Sequence, residues 1–199
     1  MPSAAGSSDY GLSIRGAVRA LWKGLIDADQ FYDWMSSAIA RGLTKAWYAG
    51  AAGCGIQPKE LTPAERSALQ LVIAEETNHV GGFAASIINR SQERGGKLAN
   101  HLNRAKMWIL RWQDVHTRAR VMACGDRKLK WVRGPTVEGC ISCDIKLNGK
   151  VKRASYWAQV NVYPQNPVNP KIACQGWRCL CSLVDTTERC SPGPLPKLP

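Results

Sequence analysis

Apolar residues recur at helical spacing through the first 123 positions, and that rhythm is lost afterwards. A first helix is expected over about 12–25. A second starts at the N-cap Asp29 and runs to about Ala49, with Phe31, Met35, Ile39, Leu43 and Trp47 on one face. Gly50-Ala-Ala-Gly53-Cys54-Gly55 breaks it. The third has the clearest start: Thr62 as cap, Pro63 at the first helical position, Glu65 three after the cap. Its buried stripe would be Leu69, Val72, Ile73, Val80, Phe83 and Ile87, with a kink at Gly81-Gly82 and a stop at Gly95-Gly96. The fourth, about 97–123, carries a seam of Leu98, Leu102, Ala105, Ile109, Trp112, His116 and Ala119 in steps of four and three.

From Lys130 the pattern changes. Lys130 to Arg133 reads as a short strand, and Asn148-Gly149 within Leu147–Val151 as a hairpin turn. Residues 161–172 are Pro- and Asn-rich loop, and the tail from Ser191 is too rich in proline to fold alone. The fold class is α+β, a mainly helical N-terminal domain followed by a small loop-rich β/α module. The expected division is a flexible arm at 1–10, a helical domain at 11–128, a Cys-rich module at 129–190 and a Pro-rich tail at 191–199.

Charge adds a direction. The net charge of +12 draws polyanions, nucleic acid foremost. Residues 90–133 hold twelve Lys/Arg against Glu93, Asp114 and Asp126, so the basic character is local. Arg104, Lys106, Arg111, Arg118, Arg120, Arg127, Lys128 and Lys130 are the candidate nucleic-acid or partner-binding residues; the bland alternative is a solvated face. The first apolar stretch, Leu12 to Ile26, is broken by Arg15, Arg19 and Lys23, so no secretory leader is expected. Nor does any stretch have the length and apolarity of a membrane span.

Five of the eight cysteines fall in Cys140-Ile-Ser-Cys143 and Cys174-Gln-Gly-Trp-Arg-Cys179-Leu-Cys181. Two tight groups thirty residues apart have metal-ligand spacing, because zinc takes four soft or borderline ligands in a tetrahedron. A reducing, intracellular setting would favour metal over disulfides. Cys140 and Cys143 are the firmest ligands and Cys179 the next. Cys174 and Cys181 compete for the fourth place, with Cys174 favoured for its longer spacing. Lys146, Lys150, Lys152, Arg153 and Arg178 would offset the thiolate charge. A closed four-ligand site leaves no position for water, so the zinc is structural and staples a small domain with little core. Cys54 and Cys124 read as ordinary small residues, and Cys190 as a distant substitute ligand.

Enzymatic signatures are not found. The zinc deaminase pattern fails for want of H-x-E and of a Pro before the C-x-x-C. No nucleophile elbow, phosphate loop or dinucleotide fingerprint occurs, so no catalytic residue is assigned. His79 follows Glu75 and Glu76 at helical spacing, which is half of a di-metal motif without a second half, and reads as a helix-surface ion pair. His116 reads as a core histidine and His101 as surface. Trp108 and Trp112 could stack on bases but at helical spacing read as packing.

One resemblance follows from the C-terminal residues. Trp131-Val132-Arg133, Glu138-Gly139-Cys140-Ile141-Ser142-Cys143, Leu147-Asn148-Gly149-Lys150-Val151, Pro164 and Pro167, and Gly176-Trp177-Arg178-Cys179-Leu180-Cys181 occur in the order that resembles the C-terminal domain of Mu F-like head morphogenesis proteins, the minor capsid proteins of tailed bacteriophages. The matched span, about 130–183, is a quarter of the chain. Many members carry a His shortly before the final C-x-C; Cys174 stands near that place. The family's Arg between the last two cysteines is Leu180 here. The resemblance implies a non-enzymatic virion protein inside the capsid, in the host cytoplasm during assembly. It would act near the portal in head assembly and DNA packaging or ejection. Its partners would be portal or major capsid protein and packaged double-stranded DNA, without sequence preference, and no membrane. The alternative is a zinc-ribbon nucleic-acid-binding regulatory protein.

Overall fold

The structure, a computed structural model, describes residues 4–135, 139–166, 169–176 and 179–198. The fold is α+β: helices dominate, and a three-stranded sheet lies in the C-terminal region. The chain forms two compact units, one of Met1–Ala46 with Thr62–Trp112, the other of Trp47–Leu61 with Gln113–Pro199.

The first unit is helical. It contains α1 (Ala4–Trp22), most of α2 (Ala28–Ala52), α3 (Pro63–Asn78), α4 (Val80–Ile88) and the first half of α5 (Leu98–Ala123). The flexible arm expected at 1–10 is overturned over residues 4–10, since α1 already starts at Ala4; residues 1–3 lie outside the described residues. Tyr10 is buried, and its ring lies so close to Gly42 that a Cβ there would come within 2.3 Å of it. That contact anchors the helix start against α2. The capping box at Thr62 forms as the sequence implies: Glu65 N–H donates to Thr62 Oγ1, and the Glu65 carboxylate accepts from Thr62 N–H at 2.8 Å.

The third helix does not run to Gly95-Gly96. It breaks at His79, just before Gly81-Gly82, and the second piece ends at Ile88. Two glycines in succession weaken the helix there. Phe31, Phe83 and Trp108 form the aromatic centre of this unit: Phe31 meets Phe83 edge-on at 6.0 Å, and Trp108 stacks on Phe83 at 4.9 Å. The His101 reading is also corrected. Its ring is buried beside Phe83, and its Nε2 lies 3.3 Å from the Arg90 carbonyl oxygen.

The second unit holds the sheet, order β2-β1-β3, formed by β1 (Lys128–Val132), β2 (Val151–Arg153) and β3 (Ser182–Asp185), both pairings antiparallel. Along β1 burial alternates, so Leu129 and Trp131 point into the core while Lys128, Lys130 and Val132 do not. Trp131, Trp157 on α6 (Ala154–Val160), Leu147, Ile172 and Leu183 make that core.

The boundary at 128/129 is therefore corrected, because the last turns of α2 and α5 belong with the sheet. A Cβ on Gly50 would fall 2.2 Å from the His116 carbonyl oxygen, so only glycine permits that backbone approach. Cys54 and Cys124 then join in a disulfide with a Cα–Cα distance of 5.2 Å, a pairing the sequence reading did not assign.

The hairpin at Asn148-Gly149 is likewise corrected. The two residues form a turn closed by Lys150 N–H on Leu147 O at 2.9 Å, with Gly149 at φ +78°. That turn leads into β2 from the one-turn helical segment Ser142–Leu147, and β2 pairs with β1 instead. A glycine at the third turn position suits this geometry as well as it suits a hairpin. The tail forms no helix or strand through residue 198, yet it is tied down. Lys152 Nζ donates to the Ser191 and Gly193 carbonyls, and Leu195 N–H donates to Tyr156 Oη at 3.1 Å.

Candidate metal centre

Between β1 and β2 the chain makes the first cysteine turn. Cys143 N–H donates to Cys140 Sγ at 3.4 Å, and the two sulfurs lie 3.4 Å apart. The turn is held from inside. Cys143 is buried, and Asn148 N–H closes on Cys143 O at 2.8 Å. Gly139 sits so close to the Asp144 carboxylate that a Cβ there would force that side chain to shift. Arg133 Nε, at the end of β1, pairs with Asp144 Oδ1 at 2.8 Å and fixes that carboxylate.

The second cysteine group comes to the first through Ser142, which is wholly buried and accepts a hydrogen bond from Ala173 N–H at 3.0 Å. That bond holds the turn leading to Cys174 against the first cysteine turn. Cys181 arrives beside β1 at the start of β3. Gly134 makes this possible, since a Cβ there would fall 2.2 Å from the Leu180 carbonyl oxygen.

The five thiols fall into two groups. Cys140, Cys143 and Cys174 lie mutually within 4.8 Å, and so do Cys143, Cys179 and Cys181. Cys143 belongs to both. Four thiolates about 2.3 Å from a tetrahedral ion put neighbouring sulfurs ~3.8 Å apart, so the cluster is of the size that holds one ion. All five proposed ligands are thus brought together. Cys190, half-buried, joins neither group among the described residues.

Protonation follows the crowding. Cys174 is held down to about 2 by hydrogen bonds from the Cys143 and Cys179 thiols and by Gly176 N–H. Cys181 is held down to about 3 by Cys143 and Cys179, with Gly134 N–H and the buried Trp131 indole N–H facing the same sulfur. Cys143 is pushed up, first by Cys174 and then by Cys179, Cys181 and burial. Cys143 lowers Cys179, but Cys174, Cys181 and burial outweigh it and push that thiol up. Packed thiols thus share protons, and a cation among them would replace those protons. The donor set is soft sulfur with backbone N–H groups bonded behind it, the second sphere such a site needs. The cluster can therefore hold a metal ion.

Three of the five cations expected to offset the thiolate charge act elsewhere. Lys146 Nζ donates to Lys197 O at 2.6 Å, Lys152 holds the tail, and Arg153 pairs with Asp126 at 3.1 Å. Lys150 is half-buried, and Arg178 lies outside the described residues, as do Glu138, Pro167 and Trp177 of the C-terminal motif. Amide N–H groups of Cys143, Gly176 and Gly134 face the sulfurs of Cys140, Cys174 and Cys181. Ser142 and Gly134, which position the two groups, carry no ligand atom and no sequence signature of their own.

The candidate polyanion-binding residues divide. Arg111 is withdrawn into a mostly buried pair with Glu76 at 2.6 Å. Arg120 pairs with Asp185 at 2.5 Å and donates to Leu183 O, and Lys130 pairs with Glu188 at 2.6 Å. Arg127 donates to Gly53 O and Lys128 to Thr187 O. These five serve the fold. Arg104, exposed over the Phe83 ring at 5.1 Å, exposed Lys106 and half-buried Arg118 make no ion pair among the described residues. Trp108 and Trp112 are buried, so they pack and do not offer faces to bases. No helix among the described residues is long and apolar enough to cross a membrane.

No protein-family model, curated protein or solved structure matches this chain.

Proposed function

We propose that this chain is a non-enzymatic minor head protein of a tailed bacteriophage, with its C-terminal unit stapled by one structural zinc ion. The observation that carries this reading is the assembly of the motif residues into one module. Trp131, Cys140, Cys143, Leu147, Cys179 and Cys181, six residues of the Mu F-like resemblance, pack in one cluster in the unit that holds the three-stranded sheet. Zinc is favoured because an all-sulfur tetrahedral donor set suits it and leaves no open position for catalysis. The protein would act near the portal, contacting portal or major capsid protein. A net charge of +12 supports weak, non-specific contact with packaged DNA through Arg104, Lys106 and Arg118.

The test joins elemental analysis with partner capture. The reduced, purified chain should carry one zinc, and chelation should release about four thiols. It should be retained by portal or major capsid protein and should bind duplex DNA weakly, without sequence preference and steeply weakened by salt. Tight, sequence-dependent duplex binding with no retention by head proteins would instead establish a zinc-ribbon regulator. Chelator-sensitive cleavage of plasmid DNA would overturn both.

A further inference from the structure

The five clustered sulfurs form two threes, Cys140 with Cys143 and Cys174, and Cys143 with Cys179 and Cys181, each mutually within 4.8 Å. The two groups share Cys143 alone. A tetrahedral ion seated in either group must draw its fourth sulfur from the other. An ion that takes three sulfurs needs no such movement.

Soft thiolates suit Cu(I) as well as zinc. Cu(I) has a filled d shell, takes two or three thiolates more readily than four, and as a monovalent ion gives up water at less cost than a divalent one. The surroundings fit it. Cys143 and Cys181 are buried in one apolar cluster with Trp131, Leu147, Ile172 and Leu183, which keeps water from the inner side. Cys140, Cys174 and Cys179 are half-buried, so each group keeps an outer sulfur through which an ion can enter. The shared residue is held firmly. Asn148 N–H donates to Cys143 O at 2.8 Å, and Cys143 N–H donates to Cys140 Sγ at 3.4 Å.

We propose that the five thiols also take two Cu(I) ions, each three-coordinate, with Cys143 Sγ bridging them. One ion sits on Cys140, Cys143 and Cys174, the other on Cys143, Cys179 and Cys181. Loading the free thiols breaks five S–H bonds and forms six sulfur–copper bonds, two of them at Cys143. Five protons leave, and no electron is transferred. Where zinc already holds four thiolates, two Cu(I) ions displace it, and one zinc ion and the fifth thiol's proton leave.

The inference rests on the cluster being a metal site, not on the head-protein assignment. It is tested by titrating the full chain, metal-free and zinc-loaded, with Cu(I) as its acetonitrile complex in the absence of oxygen. Native mass spectrometry should count two coppers per monomer. X-ray absorption should show three sulfur neighbours per copper and a copper–copper contact, and the zinc-loaded chain should have released its zinc at two equivalents. Cys140→Ser/Cys174→Ser and Cys179→Ser/Cys181→Ser should each keep one copper on three sulfurs and lose the copper–copper contact. Amide exchange across β1 and β3 reports folding of each variant, and the spectra of the unmodified chain decide the matter where a variant does not fold.

One copper per chain, or two without a copper–copper contact, overturns the bridged pair and leaves the zinc reading standing. A folded double variant that keeps both coppers overturns it too, since the second ion then sits on other thiols. A chain that takes the copper pair but no zinc overturns the zinc reading alone. Uptake of neither metal overturns both.

Discussion

Cys54 and Cys124 stand 70 residues apart in sequence, yet their Cα atoms lie 5.2 Å apart and their sulfurs are joined. The bond ties the segment after α2 to the end of α5, inside the unit that also holds the thiol cluster. The same chain thus separates one oxidised pair from five clustered thiols.

A disulfide closing so long a loop removes much freedom from the unfolded chain. Cys124→Ser is expected to lower stability by ~2–4 kcal/mol. Denaturant unfolding with and without reductant measures it, beside peptide mapping of the unreduced protein. Equal alkylation of Cys54 and Cys124 in the native, unreduced chain would refute the pairing.

Stability should fall in mild acid through His116. Burial, and then the neighbouring Arg120 charge, push its pKa from 6.5 down to about 4. As pH drops, the unfolded chain therefore takes up this proton first. The contribution is intact above about pH 6.5, is lost progressively between 6.5 and 4, and levels off below. The full loss is ~3 kcal/mol, since each pKa unit is worth about 1.4 kcal/mol. His116→Gln should flatten that part of the profile in urea titrations at a series of pH values. An unchanged slope would put the acid sensitivity elsewhere.

Glu76 and Arg111 meet at 2.6 Å with side chains only 15 % and 13 % exposed. Removing one charge strands the other in a poorly solvated place. Glu76→Gln should cost ~2 kcal/mol in the first unit, with little dependence on salt because the pair is shielded. A loss that vanished at high salt would show that the pair behaves as an exposed one.

The helical half was legible because its signals are local. The Thr62 and Glu65 capping box, the buried Phe31, Met35, Ile39, Leu43 and Trp47, and the end of α5 at Ala123 follow from periodicity and caps read a few residues at a time. His101 misled because its neighbours in sequence are polar. What buries it is Phe83 and the Arg90 carbonyl, brought in by the fold. The arm at 1–10 misled for the same reason, since small and polar residues say nothing of a glycine on another helix that receives Tyr10. Asn148-Gly149 gave the turn and the wrong partner strand, because a turn signal specifies a local reversal and not what pairs afterwards.

By itself the sequence determined α2, the capped start of α3, α5 to its end at Ala123, and the five cysteines as one candidate metal centre. Those features depend on residue type and short spacing, which local chemistry reads directly. Tertiary structure alone decided the disulfide, the extent of the sheet unit, and the engagement of Arg111, Arg120, Arg127, Lys128 and Lys130 in contacts within the fold. It also placed Cys143 in both of the thiol groups. These depend on which distant backbones can approach, at Gly50, Gly134 and Ser142 among others, and close approach is a property of packed surfaces that no short stretch of sequence carries.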